Sequence, residues 1–171
     1  INNILDNINL ISYEKAETLT NISNYRTSNI KWLPFESNFK DIYLKTTELI
    51  HNYNSQFWRF KLTSAQEEFQ YTEYHGNNQG KYNWHSDIGN GVTSTRKISV
   101  TIQLSDPSEY EGGDLQIFST LKGGENFPFL NAEKNRGTIV LFPSFTPHRV
   151  TPVTKGIRKS LVLWVGGCAF K

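Results

Sequence analysis

The feature that most restricts the fold is a series of short segments in which apolar and polar residues alternate. In the clearest of them, residues 97–104, the side chains of Ile98, Val100, Ile102 and Leu104 fall on one face of an extended strand. Further candidate strands lie at 57–62, 67–74, 113–118, 137–142, 148–150 and 159–165. Turns rich in Gly or Asn are expected at 77–80, 89–91, 111–113 and 122–124. Many short strands joined by such turns indicate a sandwich or barrel.

The first third of the chain predicts helices instead. Residues 37–54 carry apolar side chains at spacings of three and four, and Ser37 could cap this helix. Ser12 could cap a second, shorter helix over residues 12–23. We therefore predict one mainly β domain over 1–171 with N-terminal helices, an α+β arrangement. Residues 1–55 would form a helical support region for a β core over 56–171.

Composition limits the possible partners and the location. The net charge of +2 is too small to indicate nucleic acid or a membrane surface as a partner. A single cysteine, Cys168, fits a reducing compartment. No apolar run approaches the ~20 residues that cross a bilayer, and the first residues do not resemble a signal peptide. We therefore expect a cytoplasmic protein, and we expect it to be a monomer.

Three side chains suggest a metal centre. His85 and Asp87 are two positions apart, so on an extended strand both would point to one face. His148 is the candidate third ligand, because the 60 intervening residues hold about three strands, enough for a jelly roll to bring a late strand beside an early one. A 2-His-1-carboxylate set is typical of non-haem iron, although spacing alone leaves a zinc hydrolase open.

One arginine and two further histidines are also candidates for the site. Arg158 follows His148 by ten positions, and a guanidinium close to open metal positions favours an acidic co-substrate. A hydrolase that uses a metal-bound water has no evident need for such a carboxylate-binding arginine. His51 falls on the predicted helix and His75 at a turn, and neither is expected to be a ligand.

Several motifs in a fixed order resemble the Fe(II)- and 2-oxoglutarate-dependent dioxygenases of the prolyl 4-hydroxylase type. They occupy residues 74–76, 82–87, 96–105, 110–118, 137–153 and 156–164. The segments from Glu111 to Leu115 and from His148 to Val153 are also similar to the PKHD-type hydroxylases, and the subfamily stays open. The resemblance implies a double-stranded β-helix, a cupin-like jelly roll braced by helices.

The resemblance also implies roles for individual residues. His85, Asp87 and His148 would bind Fe(II), and Arg158 would bind the distal carboxylate of 2-oxoglutarate. Further contacts to this co-substrate would come from Tyr74, Thr101, Gln103, Leu115, Val150 and Trp164. Gln103 stands where some relatives have a second tyrosine, and Tyr74 and Trp164 also suit core packing. Arg96, Tyr82, Trp84 and the loop 76–81 are candidates for substrate contact.

By the same resemblance the protein would be an oxidoreductase that uses Fe(II), 2-oxoglutarate and O2, with ascorbate as a possible reductant. It would hydroxylate a prolyl residue of a protein or peptide and release succinate and CO2. Two alternatives stay open: the same chemistry on a free amino acid or small metabolite, and a non-catalytic sensor of metal or 2-oxoglutarate. A nucleic-acid demethylase is disfavoured, because no second arginine follows Arg158 at the spacing of that branch.

Overall fold

The computed structural model describes residues 2–16, 25–36, 38–65, 67–119 and 128–170. Its helices are α1 (Asn2–Ile8) and α2 (Lys40–Gln56). Its strands are β1 (Glu14–Lys15), β2 (Arg26–Thr27), β3 (Asn29–Leu33), β4 (Leu62–Ala65), β5 (Phe69–His75), β6 (Lys81–His85), β7 (Arg96–Gln103), β8 (Tyr110–Gly112), β9 (Leu115–Phe118), β10 (Phe129–Asn131), β11 (Ile139–Pro143), β12 (His148–Val150) and β13 (Val153–Gly167). Short 3₁₀ turns span Gly76–Asn78, Gly91–Thr95 and Pro107–Glu109.

The strands form two antiparallel sheets. The large sheet has the order β1-β3-β5-β13-β7-β11, and β4 and β8 also pair with β13. The small sheet has the order β10-β9-β12-β6-β2. Strands that are distant in sequence are therefore neighbours in space, and the predicted β-rich fold with helices is confirmed. Neither helix in the described part of the chain is long and apolar enough to cross a membrane.

Helix α2 packs on one face of the large sheet. Its buried residues Tyr43, Thr46, Ile50 and Asn54 recur at spacings of three and four, so they share one side of the helix. The alternating residues of β5, β7 and β13 bury their apolar side chains in the same cluster. The predicted helix over 37–54 is thus confirmed with shifted ends. The proposed cap Ser37 lies outside the described residues, as does the predicted turn at 122–124.

The predicted helix over residues 12–23 is wrong where the structure describes it. Glu14 and Lys15 form β1, paired with Ile30 and Asn29 of β3. Residues 17–23 lie outside the described residues. Local helix propensity is a weak preference, and strand pairing at a sheet edge overrides it here.

The predicted strand at 57–62 begins only at Leu62. The segment before it is a turn, because the Asn54 side chain holds the backbone of Phe60 at both its N–H and its carbonyl, each at 2.9 Å. Arg59 has a φ of 55°, which is incompatible with a strand. Alternation of aromatic and basic residues therefore misled the prediction for these five residues.

Strand β3 was not predicted, and it shows that residues 1–55 are more than helical support. It pairs with β5 from Asn29 opposite Glu73 to Leu33 opposite Phe69. Its centre carries the buried Lys31, whose Nζ donates to the Ile8 carbonyl at 3.0 Å and lies 3.9 Å from the centre of the Tyr13 ring. Because a lysine occupies this buried position, the segment lacks the apolar alternation that predicts a strand.

A buried carboxylate connects this N-terminal region to the large sheet. Glu73 accepts hydrogen bonds from the hydroxyls of Tyr13 (2.9 Å) and Tyr71 (2.6 Å), and it pairs with His75 Nε2 at 2.9 Å. Burial by itself raises the pKa of Glu73, but the bonds from Tyr71, Tyr13 and His75 outweigh it and lower the pKa below its usual value.

This lowered pKa predicts a pH-dependent contribution to stability. A carboxylate with a depressed folded-state pKa stabilises the fold above its unfolded pKa of about 4.3, and the contribution is lost as pH falls through the folded value. We expect Glu73→Gln to lower the free energy of unfolding at pH 7, with a gap to wild type that narrows towards pH 3. Urea unfolding at both pH values tests this. The exposed Glu48→Gln serves as control, and a gap of constant size would contradict the prediction.

Candidate metal centre and its cavity

A cavity of about 460 Å³ lies on the face of the large sheet that is turned away from α2. Tyr74, Thr101 and Arg158 line it from the large sheet, and His85 and His148 line it from the small sheet. Because side chains alternate along a strand, the apolar residues of β7 pack towards α2 while Thr101 faces the cavity. The cavity thus gathers most of the residues that the sequence singled out.

The register of β6 and β12 brings the two histidines together. His85 and His148 are direct cross-strand partners, and their ring centres are 4.2 Å apart. Asp87 lies two residues beyond the end of β6, so it is not on the same strand as His85, contrary to the prediction. Its Oδ1 is 3.6 Å from His85 Nε2, and its Oδ2 is 3.5 Å from His148 Nε2. The three side chains are 7–9 % exposed.

Backbone carbonyls fix which nitrogen of each histidine is available. His85 Nδ1 lies 2.7 Å from the Asn83 carbonyl, and His148 Nδ1 lies 3.0 Å from the Thr146 carbonyl. Since a carbonyl only accepts, each Nδ1 carries the proton and each Nε2 of a neutral ring offers its lone pair to the cavity. Burial, and after it His148, lowers the pKa of His85 to about 3, so that ring is neutral near pH 7.

Asp87 is held at its backbone and at its carboxylate. Its N–H donates to the Ser144 carbonyl at 2.9 Å, and its carbonyl accepts from Arg96 Nη1 at 3.1 Å. The Ser99 hydroxyl donates to its Oδ2 at 2.6 Å. Burial alone raises the pKa of Asp87, but the neighbouring His148 and His85 and the Ser99 hydroxyl lower it below its usual value. The site therefore offers one carboxylate and two imidazole Nε2 atoms.

Arg158 is a buried cation in the same cavity. It is 1 % exposed; its Nη2 donates to Gln103 Oε1 at 2.8 Å and its Nη1 to Ser160 Oγ at 3.3 Å. Its Nε has no hydrogen-bond partner among the described residues, and within them no carboxylate forms an ion pair with it. Burial lowers the pKa of Arg158, but a guanidinium stays charged near neutral pH. A buried charge without an acidic partner is costly unless a ligand supplies one.

Gly113 leaves the space that the Arg158 side chain occupies. It has a φ of +62°, and a Cβ built there would lie 2.9 Å from Val153 Cγ2 and 3.1 Å from Arg158 Cδ. Gly113→Ala should therefore lower the free energy of unfolding by more than the ~1–2 kcal/mol of the left-handed backbone alone. Gly91→Ala is the matched control, because Gly91 has a φ of +65° and nothing within 4 Å. Equal losses in urea unfolding would contradict the predicted contact.

The other residues predicted to contact 2-oxoglutarate mostly line the cavity. Tyr74, Thr101, Leu115, Val150 and Trp164 all do so. Gln103 is not among the lining residues, and its carbonyl oxygen accepts the bond from Arg158 described above. Its amide nitrogen is 3.4 Å from the Glu133 carbonyl. Gln103 therefore orients Arg158 from the same side of the sheet as Thr101, and its own contact with 2-oxoglutarate stays a prediction.

The three residues predicted to contact substrate have different surroundings. Tyr82 lines the cavity and stacks on His85, with ring centres 3.5 Å apart. Arg96 lines it too, but its guanidinium is paired with Glu67 through a 2.6 Å bond from Nε and lies over the Trp164 ring. Trp84 is absent from the cavity wall: its ring neighbours Phe129, and Arg149 lies 4.9 Å from the ring centre. The pairing of β6 with β12 shifts register between His148 and Val150, in the part of β6 where Tyr82 lines the cavity and Trp84 does not.

Several residues of the site carry no sequence motif that would predict them. Additional polar and aromatic cavity residues are Tyr25, Arg26, Trp32, Glu67, Gln70 and Ser160. Arg26 lies 4.8 Å from the Tyr82 ring centre and donates to Gln70 Oε1 at 2.8 Å. Arg26 lies on β2 and Trp32 on β3, and both strands fall in the region 1–55 that was predicted to be helical. Ser99 was also missed, since a serine on an alternating strand carries no motif.

Curated relatives match about half of the chain. A PKHD-type hydroxylase of Teredinibacter turnerae is 39% identical over 93 residues, which are 52% of this chain and 38% of the relative. A PKHD-type hydroxylase of Paraburkholderia xenovorans is 35% identical over 78 residues, 46% of this chain and 32% of the relative. The matching segments thus span well under half of the relatives' own lengths.

Solved structures share the fold over nearly the whole chain. A prolyl hydroxylase from Trichoplax adhaerens, in complex with a hypoxia inducible factor peptide fragment, superposes with a TM-score of 0.75 at 19% identity. The match covers 96% of this chain and 75% of that one. A viral collagen prolyl hydroxylase from Paramecium Bursaria Chlorella virus-1 gives a TM-score of 0.69 at 20% identity, covering 97% and 90%. The predicted double-stranded β-helix is thereby confirmed.

A family model assigns the chain to a superfamily. The model described as the 2OG-Fe(II) oxygenase superfamily matches residues 69–166, which is more than half of the sequence. That range contains the two histidines, the carboxylate and the buried arginine of the cavity. The family implies Fe(II), 2-oxoglutarate and O2. This chain belongs to the 2OG-Fe(II) oxygenase superfamily.

Proposed function

We propose that this protein is an Fe(II)- and 2-oxoglutarate-dependent dioxygenase that hydroxylates a prolyl residue of a protein or peptide, with release of succinate and CO2. One observation carries the proposal. Two imidazole nitrogens and one carboxylate converge in the same cavity as a buried arginine that has no acidic partner among the described residues.

The donor set fits a divalent iron ion. The candidate ligand atoms of His85, Asp87 and His148 all lie within 4.8 Å of one another. Three protein ligands with an open side are typical of non-haem iron that binds a co-substrate and O2. Zinc also accepts such ligands, but the buried Arg158 is better explained by an acidic co-substrate beside the metal.

The surroundings of Arg158 fit the distal carboxylate of 2-oxoglutarate. Its unpaired Nε and its burial would make a charge-assisted bond to a carboxylate strong. Gln103 and Ser160 fix the plane of the guanidinium by accepting from its two terminal nitrogens. Tyr74 is opposite Arg158 on β5, and its ring centre is 5.6 Å from Cζ, so it shapes the same part of the cavity.

Bound iron and 2-oxoglutarate supply the oxidising chemistry, in which oxidative decarboxylation of the co-substrate is coupled to insertion of oxygen into a C–H bond. The protein's residues bind, orient and exclude water. Asn83 and Thr146 keep both Nδ1 protons in place, so both Nε2 atoms remain ligands. The stacked Tyr82 ring covers His85 on one side and keeps solvent from that ligand.

Aromatic rings at the cavity support a prolyl substrate. Tyr25, Trp32, Tyr82 and Trp164 line it, and a saturated pyrrolidine ring packs well on aromatic faces. The similar structures named above are prolyl hydroxylases, and a polypeptide is therefore the partner we propose. By the same resemblance we propose ascorbate as the reductant that keeps the iron as Fe(II).

A direct experiment separates this proposal from its alternatives. The protein is titrated anaerobically with Fe(II) and 2-oxoglutarate, and is then exposed to O2 with proline-containing peptides. We expect succinate formation and a mass gain of one oxygen on a peptide. Oxidation of free proline or another small metabolite, but of no peptide, would favour the small-molecule alternative. Binding of 2-oxoglutarate with no succinate formed would favour a sensor.

A further inference from the structure

We propose that Ser99 is a positioning residue that orients the Asp87 carboxylate for metal binding, an inference that rests on the metal centre proposed above. Ser99 lies in the middle of β7, opposite Phe142 of β11 and Trp164 of β13. It is fully buried, and its hydroxyl donates to Asp87 Oδ2 at 2.6 Å. Ser99 is not one of the candidate metal ligands, so its effect on metal binding acts through Asp87.

The Ser99 hydroxyl bonds the Asp87 carboxylate directly, next to the Trp164 side chain, which also lies beside this carboxylate. The backbone of Asp87 is held separately, because its N–H donates to Ser144 and its carbonyl accepts from Arg96. Those bonds fix the main chain and leave the side-chain torsion free. The bond from Ser99 then selects the orientation in which each carboxylate oxygen faces one imidazole nitrogen, at 3.6 Å and 3.5 Å.

A second hydroxyl keeps Ser99 in the donating orientation. Ser144 Oγ lies 3.0 Å from Ser99 Oγ, and it is also fully buried. Since the Ser99 proton is used at Asp87, the Ser144 hydroxyl donates to Ser99 and completes a short chain of hydrogen bonds. Such partners of metal ligands typically contribute about 10- to 100-fold in metal affinity.

The test measures Mn(II) binding to the metal-free protein by calorimetry, with no turnover required. Ser99→Ala should weaken Mn(II) binding about 10- to 100-fold. The control is Ser105→Ala, because Ser105 is also buried, two residues beyond the end of β7, and among the described residues its hydroxyl bonds only Ile157 and Lys159, away from the centre. That variant should bind Mn(II) within about twofold of wild type, whatever its loss of thermal stability.

Two variants of equal size, Ser99→Thr and Ser99→Val, distinguish the effect of the hydroxyl from the effect of side-chain volume. Ser99→Thr keeps the hydrogen-bond donor and Ser99→Val removes it, so Mn(II) affinity should be retained in Ser99→Thr and lost in Ser99→Val. In the Co(II)-loaded proteins the visible absorption bands should match wild type for Thr and shift for Val. Equal Mn(II) affinities of Thr and Val, or of Ser99→Ala and wild type, would overturn the role of Ser99 alone. Failure of the wild type to bind one Mn(II) would instead overturn the metal centre itself.

Discussion

Replacing Asp87 with alanine is expected to abolish 2-oxoglutarate-dependent oxidation while leaving the fold intact. Asp87 is the one carboxylate in the described cluster of candidate ligands, and two imidazoles without a carboxylate bind a divalent ion weakly. Bound metal contributes several kcal/mol to such reactions, so the rate should fall on the order of 1000-fold or more. Succinate formation and Mn(II) binding are the measurements, and both should be lost together.

The fold should survive because the bonds to the Asp87 backbone do not depend on its side chain. Asp41→Ala is a suitable control, since this carboxylate lies in the first turn of α2, exposed and remote from the cavity. It should leave activity and metal binding unchanged. Oxidation at the native rate by the Asp87 variant would show that the ligand assignment is wrong.

Replacing Arg158 with glutamine should act on the co-substrate and leave the metal in place. Loss of one partner of a buried charged pair costs about 2–5 kcal/mol, so half-saturation by 2-oxoglutarate should rise on the order of 100-fold. Mn(II) affinity should stay within about twofold of wild type, because none of the candidate ligands contacts Arg158. Succinate formation across a range of 2-oxoglutarate concentrations measures the effect.

A second variant of Arg158 and a control variant test whether the effect depends on the guanidinium. Arg158→Lys keeps the charge but loses the planar fork that Gln103 and Ser160 orient, so its effect should fall between wild type and the glutamine variant. Arg149→Gln is the control, because Arg149 belongs to β12 but is absent from the cavity wall. An unchanged 2-oxoglutarate requirement in Arg158→Gln would mean that another residue binds the distal carboxylate.

Much of the fold was predictable from local patterns, and the failures have identifiable causes. β7 was predicted well because its apolar residues pack on α2 at every second position. β3 was missed because the buried Lys31 is stabilised by the Ile8 carbonyl and the Tyr13 ring, and both contacts form only in the folded chain. β1 was misassigned for the same reason, since its pairing with β3 is a long-range contact. The single-domain organisation stays a prediction.

The candidate site divides in the same way. His85, Asp87, His148 and Arg158 were found because their side chains carry chemistry that few other residue types offer. Ser99, Gln70 and Arg26 were not predicted, because serine, glutamine and arginine are common residues. Such residues indicate a site only when the residues beside them in space are known. Trp84 lies beside Arg149 and does not line the cavity, so its contact with substrate stays a prediction.

By itself the sequence determined the strand-forming alternation, the chemical types of the candidate ligands and the ordered motifs of the family. Those are properties of single residues and of spacing along the chain. The tertiary structure alone decided that His85 meets His148 across two strands, that carbonyls turn both Nε2 atoms towards Asp87, and that Arg158 is buried without an acidic partner among the described residues. These depend on strand register and on contacts between residues far apart in sequence, which no local pattern records.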